Sequence, residues 1–191
     1  MYVDDTNLSV TGESASDIEV RLNTELENVH EWLTANKLTL NTEKTEYIII
    51  GSYKRISNLQ KGDEIKIRIG DNEIKRVKTT KSLGIVIDEN LAWKENIDNL
   101  SVKVSRPIGV IRRAKKYVKQ DALKLMYNSL VLPYFDYCSL VWNNCSQTLK
   151  TKVQRLQNRA ARVITGDTYD IRSKDVLSKL GWNNLEERRN S

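Results

Sequence analysis

Two adjacent carboxylates, Asp4 and Asp5, follow Tyr2 and Val3 at the start of the chain. Neighbouring side chains on a strand point to opposite faces, so this pair can share a cation only where the chain turns. A tight hairpin would set both near its tip. Hard oxygen ligands suit Mg²⁺, which takes one or two carboxylates plus substrate phosphates. Two such ions, about 3.5–4 Å apart, stabilise the attacking and leaving oxygens of an in-line phosphoryl transfer. A bare Asp-Asp pair is more often an exposed turn with two solvated aspartates. The elements around it therefore carry the decision.

Those elements change character along the chain. Leu8 and Val10 alternate with polar residues as a strand would, and Thr11-Gly12 ends it. Ser16-Asp17-Ile18-Glu19 reads as a capping box. Ile18, Leu22, Leu26, Val29 and Leu33 follow at helical spacing, which predicts a helix over 17–35 with Asn36 as a left-handed stop. Leu38 and Leu40 alternate with polar residues, and Tyr47-Ile48-Ile49-Ile50 reads as a buried strand closed by Gly51. Ile65, Ile67 and Ile69 alternate up to Gly70-Asp71-Asn72, and Ile74 and Val77 return, as in a hairpin. Leu83-Gly84-Ile85-Val86-Ile87 reads as another strand.

Beyond residue 90 the pattern is helical. Ile97, Leu100, Val104, Ile108 and Ile111 form one stripe, which Pro107 should kink or split. Asp121 can cap a helix carrying Leu125, Met126 and Leu130. Ser146 can cap another with Leu149, Val153, Leu156, Ala160 and Val163 on one face and Gly166 past its end. A short helix precedes Gly181-Trp182.

The net charge of +6 hides an asymmetry. Residues 1–47 hold ten Asp/Glu against three Lys/Arg, and residues 48–191 hold fifteen against twenty-eight. An acidic head on a basic body fits a cation-binding end beside a surface that attracts a polyanion, or simply a solvated basic surface. No apolar run approaches the roughly 20 residues that span a bilayer. No basic stretch followed by an apolar one marks a signal peptide, so the expectation is an intracellular protein of nucleus or cytoplasm. Cys138 and Cys145 have no zinc-site spacing with His30 and read as buried thiols. His30 reads as part of a solvated helix face.

The order of motifs resembles the palm of reverse transcriptases, specifically those of retrotransposons without long terminal repeats, the jockey-like group. Tyr2-Val3-Asp4-Asp5 matches the family's YxDD turn, and Leu38 to Thr45 its LxLNxxKT segment. Ser82-Leu83-Gly84 matches the strand that grips the primer end. The likeness continues through Trp93, Tyr134-Phe135-Asp136-Tyr137-Cys138, Leu156 to Arg162, and Leu180-Gly181-Trp182. It implies an RNA-directed DNA polymerase that uses Mg²⁺ or Mn²⁺, an RNA template, a DNA primer and dNTPs. Asp4 and Asp5 would be metal ligands, and Tyr2 and Val3 would lie against primer or template. Lys44 would help protonate or screen the leaving pyrophosphate, or be a surface lysine after a strand. Leu83 and Gly84 would sit under the primer backbone, where glycine permits close approach. The intact enzyme carries a further metal-binding aspartate upstream with the fingers around it. The expectation is thus a C-terminal part of the polymerase, from the YxDD turn onward, that is inactive alone. A non-catalytic RNA- or DNA-binding module and an inactive transposon remnant are the alternatives.

Basic helices follow. Lys103 to Lys119 hold seven basic residues and no acidic one, among them Lys103, Arg106, Arg112, Arg113 and Lys116. At 100° per residue, Lys152, Arg155, Arg159 and Arg162 share one flank of a helix, beside its apolar stripe. Phosphate contacts made there would be sequence-independent and salt-sensitive. The expected fold is α+β. Residues 1–90 form a partial palm of helix, antiparallel strands and hairpin, 91–131 a thumb-like set of helices, and 132–191 a C-terminal helical region.

Overall fold

Ser14, rather than Ser16, starts the first helix, α1 (Ala15–Ala35). Its hydroxyl accepts the Asp17 backbone N–H at 3.1 Å, and the Asp17 carboxylate accepts from the Glu13 N–H at 3.4 Å. The Ser14 half of a capping box is thus made two residues earlier than expected, while the Asp17 carboxylate reaches past the cap to the preceding N–H. At the far end Asn36 keeps φ −90°, and Lys37 takes the left-handed conformation (φ 56°). The computed structural model describes residues 6–59 and 65–189. It divides into two units, residues 1–80 with 88–90, and residues 81–87 with 91–191.

In the first unit, α1 is followed by β1 (Glu46–Tyr47), α2 (Tyr53–Leu59), β2 (Arg68–Ile69), β3 (Asn72–Glu73) and β4 (Lys75–Arg76). β2 and β3 form the hairpin that the isoleucine alternation foretold, turning at Gly70 with φ 53°. β1 pairs with β4 in parallel, Tyr47 opposite Arg76. The core is built from Ile49, Ile56, Ile65, Ile67, Ile69 and Ile74. Leu22 and Leu26 of α1 are only partly buried against it. Asn23 fastens α1 to the neighbouring extended chain. Its side-chain amide donates to the Lys66 carbonyl and accepts from the Arg68 N–H, both at 2.9 Å. That is the pairing a strand edge would supply. Leu38 and Leu40 lie in irregular chain, and α2 forms where no helical periodicity was read. His30 is half-buried, its imidazole about 3 Å from where a Cβ on Gly70 would stand, rather than on a solvated face.

In the second unit, part of the hairpin β5 (Thr79–Ser82) and β6 (Ile85–Asp88) joins a helical body. That body comprises α3 (Lys94–Ala114), α4 (Gln120–Leu130), α5 (Leu132–Asp136), α6 (Ser139–Trp142), α7 (Gln147–Thr165), α8 (Ser173–Leu180) and α9 (Leu185–Arg189). Ile97, Val104, Ile108 and Ile111 of α3 are fully buried, and α3 packs on α7 and α4. Pro107 neither splits nor ends α3, which runs unbroken through it. The missing proline N–H sits beside a stripe whose burial outweighs one lost hydrogen bond. The inner face of α4 is not made by the residues that marked it as a helix. Leu123 and Tyr127 are buried, while Leu125 is 66% exposed. Gly166 ends α7 in the left-handed conformation, its N–H donating to the Arg162 carbonyl at 2.8 Å. Cys145 is buried and Cys138 partly so, both as free thiols, and burial raises the Cys145 pKa. Among the described residues no helix is long and apolar enough to cross a membrane. The α+β composition stands.

Candidate nucleic-acid interface

Leu83 and Gly84 are not inside a strand, as the sequence pattern suggested. They are the two-residue connection between β5 and β6. Thr79 and Thr80 favour strand, and Thr79 to Ser82 pair with Ile85 to Asp88, so the glycine is used for the turn. Both turn residues have positive φ, 47° for Leu83 and 82° for Gly84. This is the pattern whose twist matches flanking strands and which favours Asn-Gly. A leucine there costs roughly 1–2 kcal/mol. Its side chain is 76% exposed, so burial does not repay that strain. An unfavourable residue held exposed at a strained tip is the kind of feature that marks a contact surface.

The turn borders a groove of about 680 Å³. Lys81 stands on the hairpin side, and Asn99, Lys103 and Arg106 on α3. The spacing 96, 99, 103, 106 keeps these side chains on one flank of the helix. Tyr134 of α5 and Tyr137 at its end also line the groove, 40% and 55% exposed. Lys81, Lys103 and Arg106 are all exposed, with their charges free to meet phosphates. The hairpin is tied down twice within this unit. The Tyr137 hydroxyl donates to the Leu83 carbonyl at 2.6 Å, and the Val86 N–H donates to Asn96 Oδ1 at 3.3 Å. Cations, aromatic rings and a presented backbone turn together suit a nucleic-acid backbone and its terminal bases.

The remaining basic positions divide. Arg112, Arg113 and Lys116 are exposed at the end of α3 and just past it. On α7, Arg155 is exposed and Arg159 half-buried. Lys152 lies 2.6 Å from Asp98 of α3, while lining a shallow depression with Arg106. Arg162 is committed inward. It donates to the Ile171 carbonyl at 2.8 Å and to Ser173 Oγ at 3.2 Å, and its guanidinium lies 5.2 Å from the Tyr169 ring centre. Near the end of the described chain, Arg188 pairs with Asp136 at 2.9 Å, which raises its pKa. Tyr127 stacks on Trp182 at 4.0 Å, and burial raises its hydroxyl pKa.

Three curated proteins share sequence with the chain. A Pol polyprotein of the type-1 retrotransposable element R1 2 from Nasonia vitripennis is 22% identical over 147 residues, 74% of this chain. The R1 Pol polyprotein of the same wasp is 22% identical over 189 residues, 95% of the chain. A probable RNA-directed DNA polymerase from transposon X-element of Drosophila melanogaster is 20% identical over 154 residues. The chain is a distant relative of retrotransposon Pol proteins. It spans 35%, 55% and 16% of the lengths of those three relatives. No family model matches it, and no solved structure matches it significantly.

Within this Pol relative, Tyr2, Val3, Asp4 and Asp5 lie outside the described residues. Among the described residues no group of three His, Cys, Asp or Glu side chains comes together to hold a metal. Lys44 is exposed in a turn of the first unit, its N–H held by Asn41 Oδ1 at 3.2 Å. Leu83, Gly84, Lys103 and Arg106 converge on one groove. Lys81, Asn99, Tyr134 and Tyr137 join them there without having been singled out by charge or chemistry. The signal for the tyrosines was present as an i, i+3 pair flanking the buried Phe135.

Proposed function

We propose that the chain is part of an RNA-directed DNA polymerase of a retrotransposon, and that its groove takes the primer end of a template–primer duplex. The observation that carries this reading is the exposed, strained Leu83-Gly84 turn standing beside Lys81, Lys103 and Arg106. In this reading residues 1–90 belong to the palm, 91–131 to the thumb, and 132–191 follow the polymerase core. Asp4 and Asp5 would hold Mg²⁺ or Mn²⁺, which supplies charge stabilisation for nucleotidyl transfer when bound. Lys44 would serve the leaving pyrophosphate. The groove's own residues do the positioning. Its lysines and arginine neutralise backbone phosphates, and the glycine lets that backbone approach closely.

Fluorescence anisotropy with a labelled template–primer duplex tests the groove. The logarithm of affinity should fall linearly with the logarithm of salt between about 50 and 200 mM, with a slope near −3 if the three groove cations each neutralise one phosphate. Affinity that ignores salt would reject phosphate contacts. The metal role is tested by electron paramagnetic resonance titration with Mn²⁺. Replacing Asp4 and Asp5 by Asn should abolish tight binding, and an unchanged isotherm would remove both residues from that role.

A further inference from the structure

We propose that Tyr137 is a positioning residue for the turn that meets the primer end, an inference that rests on the polymerase reading above. The Tyr137 hydroxyl donates to the Leu83 carbonyl at 2.6 Å, 54 residues away in sequence. Leu83 is the residue held in the left-handed conformation. Its carbonyl begins the peptide unit that leads into Gly84, so a tether there fixes the orientation of the turn's central peptide. The tyrosine ring flanks the same turn, Cε1 lying 4.0 Å from where a Cβ on Gly84 would stand.

The tether is itself anchored. The Tyr137 N–H donates to the Pro133 carbonyl at 2.9 Å, and its carbonyl accepts the indole N–H of Trp142 at 3.1 Å. Trp142 is 2% exposed in the helical core, and the Arg189 guanidinium covers its ring at 4.5 Å. A line of fixed groups thus runs from the core, through the Tyr137 backbone, to a hydroxyl at the hairpin tip. Tyr137 is itself 55% exposed, so filling the core does not account for it.

The physical consequence is preorganisation. A two-residue turn with leucine in the left-handed region has less strained alternatives. A hydrogen bond to its carbonyl holds the observed conformation against them before any duplex arrives, so binding need not order the turn. The asparagine bond at Val86 holds the β6 side, and Tyr137 holds the tip.

The test uses the full chain and Tyr137→Phe, which removes only the hydroxyl. In the free protein, hydrogen exchange of peptides covering residues 82–87 should speed several-fold, with the thermal midpoint of the helical unit nearly unchanged. In anisotropy titrations, affinity for a duplex with a recessed 3′ end should fall roughly five- to tenfold, as for one lost hydrogen bond. Affinity for a blunt duplex of the same length should not move. Exchange and affinity equal to the unsubstituted chain would overturn the proposal. Faster exchange without any preference of the unsubstituted chain for the recessed end would overturn the primer role and the polymerase reading, while leaving the tether as a purely structural bond.

Discussion

The two units are held together by different means. In the first, the buried apolar side chains among the described residues are six isoleucines, and α1, 21 residues long, buries none of its own. In the second, twenty buried side chains from the hairpin, the helices and their connections make one continuous core, with four aromatic anchors that are almost fully enclosed, Trp93, Tyr127, Phe135 and Trp142. A thin core leaves polar bonds such as the Asn23 clamp to fix the geometry, whereas a thick core can hold a strained turn in place. The candidate interface lies in the unit able to carry that strain.

The same substitution in each core breaks or confirms this contrast. Ile67→Ala and Ile97→Ala should each cost roughly 2–5 kcal/mol. Ile67→Ala should erase exchange protection over the first unit, while peptides from residues 91–189 keep theirs. Ile97→Ala should lower the denaturation midpoint of the second unit without unfolding it. Joint loss of protection after Ile67→Ala would show that the units do not unfold separately.

The next largest effect concerns the groove. Replacing Lys81, Lys103 and Arg106 together by Ala should flatten the salt dependence of duplex binding by about 3 in slope. Replacing Arg112, Arg113 and Lys116 instead should weaken recessed and blunt duplexes equally. An identical loss of end preference in both triples would dissolve the distinction between the groove and the outer basic surface.

The sequence showed the long-range order well where one physical signal was strong. The α3 stripe, the Ile65–Ile69 alternation with its Gly70 turn, and the Gly166 stop each rest on a single dominant preference, and each is present. It failed where two preferences compete. On α4, Leu125, Met126 and Leu130 marked a helix, but Leu123 and Tyr127 form its buried face, because which flank is buried depends on where α3 and α7 lie. Leu83-Gly84 read as strand because apolar residues continue through it, and only pairing with Thr79–Ser82 makes it a turn. The motif singled out those two residues; local patterning could not show that Tyr137 reaches them.

Leu83→Gly separates stability from contact at that turn. Glycine occupies a left-handed position without the Cβ penalty, so the hairpin should gain roughly 0.5–1 kcal/mol. The same change deletes an exposed apolar side chain at the groove's edge. Affinity for a recessed duplex should therefore drop while the denaturation midpoint rises. A gain in both would mean that the leucine is merely a poor turn residue.

The smallest effect is a pH dependence confined to the helical unit. Lys179 Nζ stands 2.7 Å from Asp167 Oδ1, and that bond holds the Asp167 carboxyl below the usual range, with help from the Thr165 side chain. Asp170 is likewise held low by the Thr168 hydroxyl. A carboxyl whose folded pKa is depressed adds stability above its unfolded value, about 3.9, and loses it as pH falls through the folded value. Urea midpoints of the second unit should thus decline below about pH 4. Asp167→Asn should lower the midpoint slightly at neutral pH and make that acid decline shallower. Lys179 is half-exposed and Asp170 exposed, which screens both contacts, so the change should be small, and an acid limb that is as steep in the variant would assign the decline to other carboxylates.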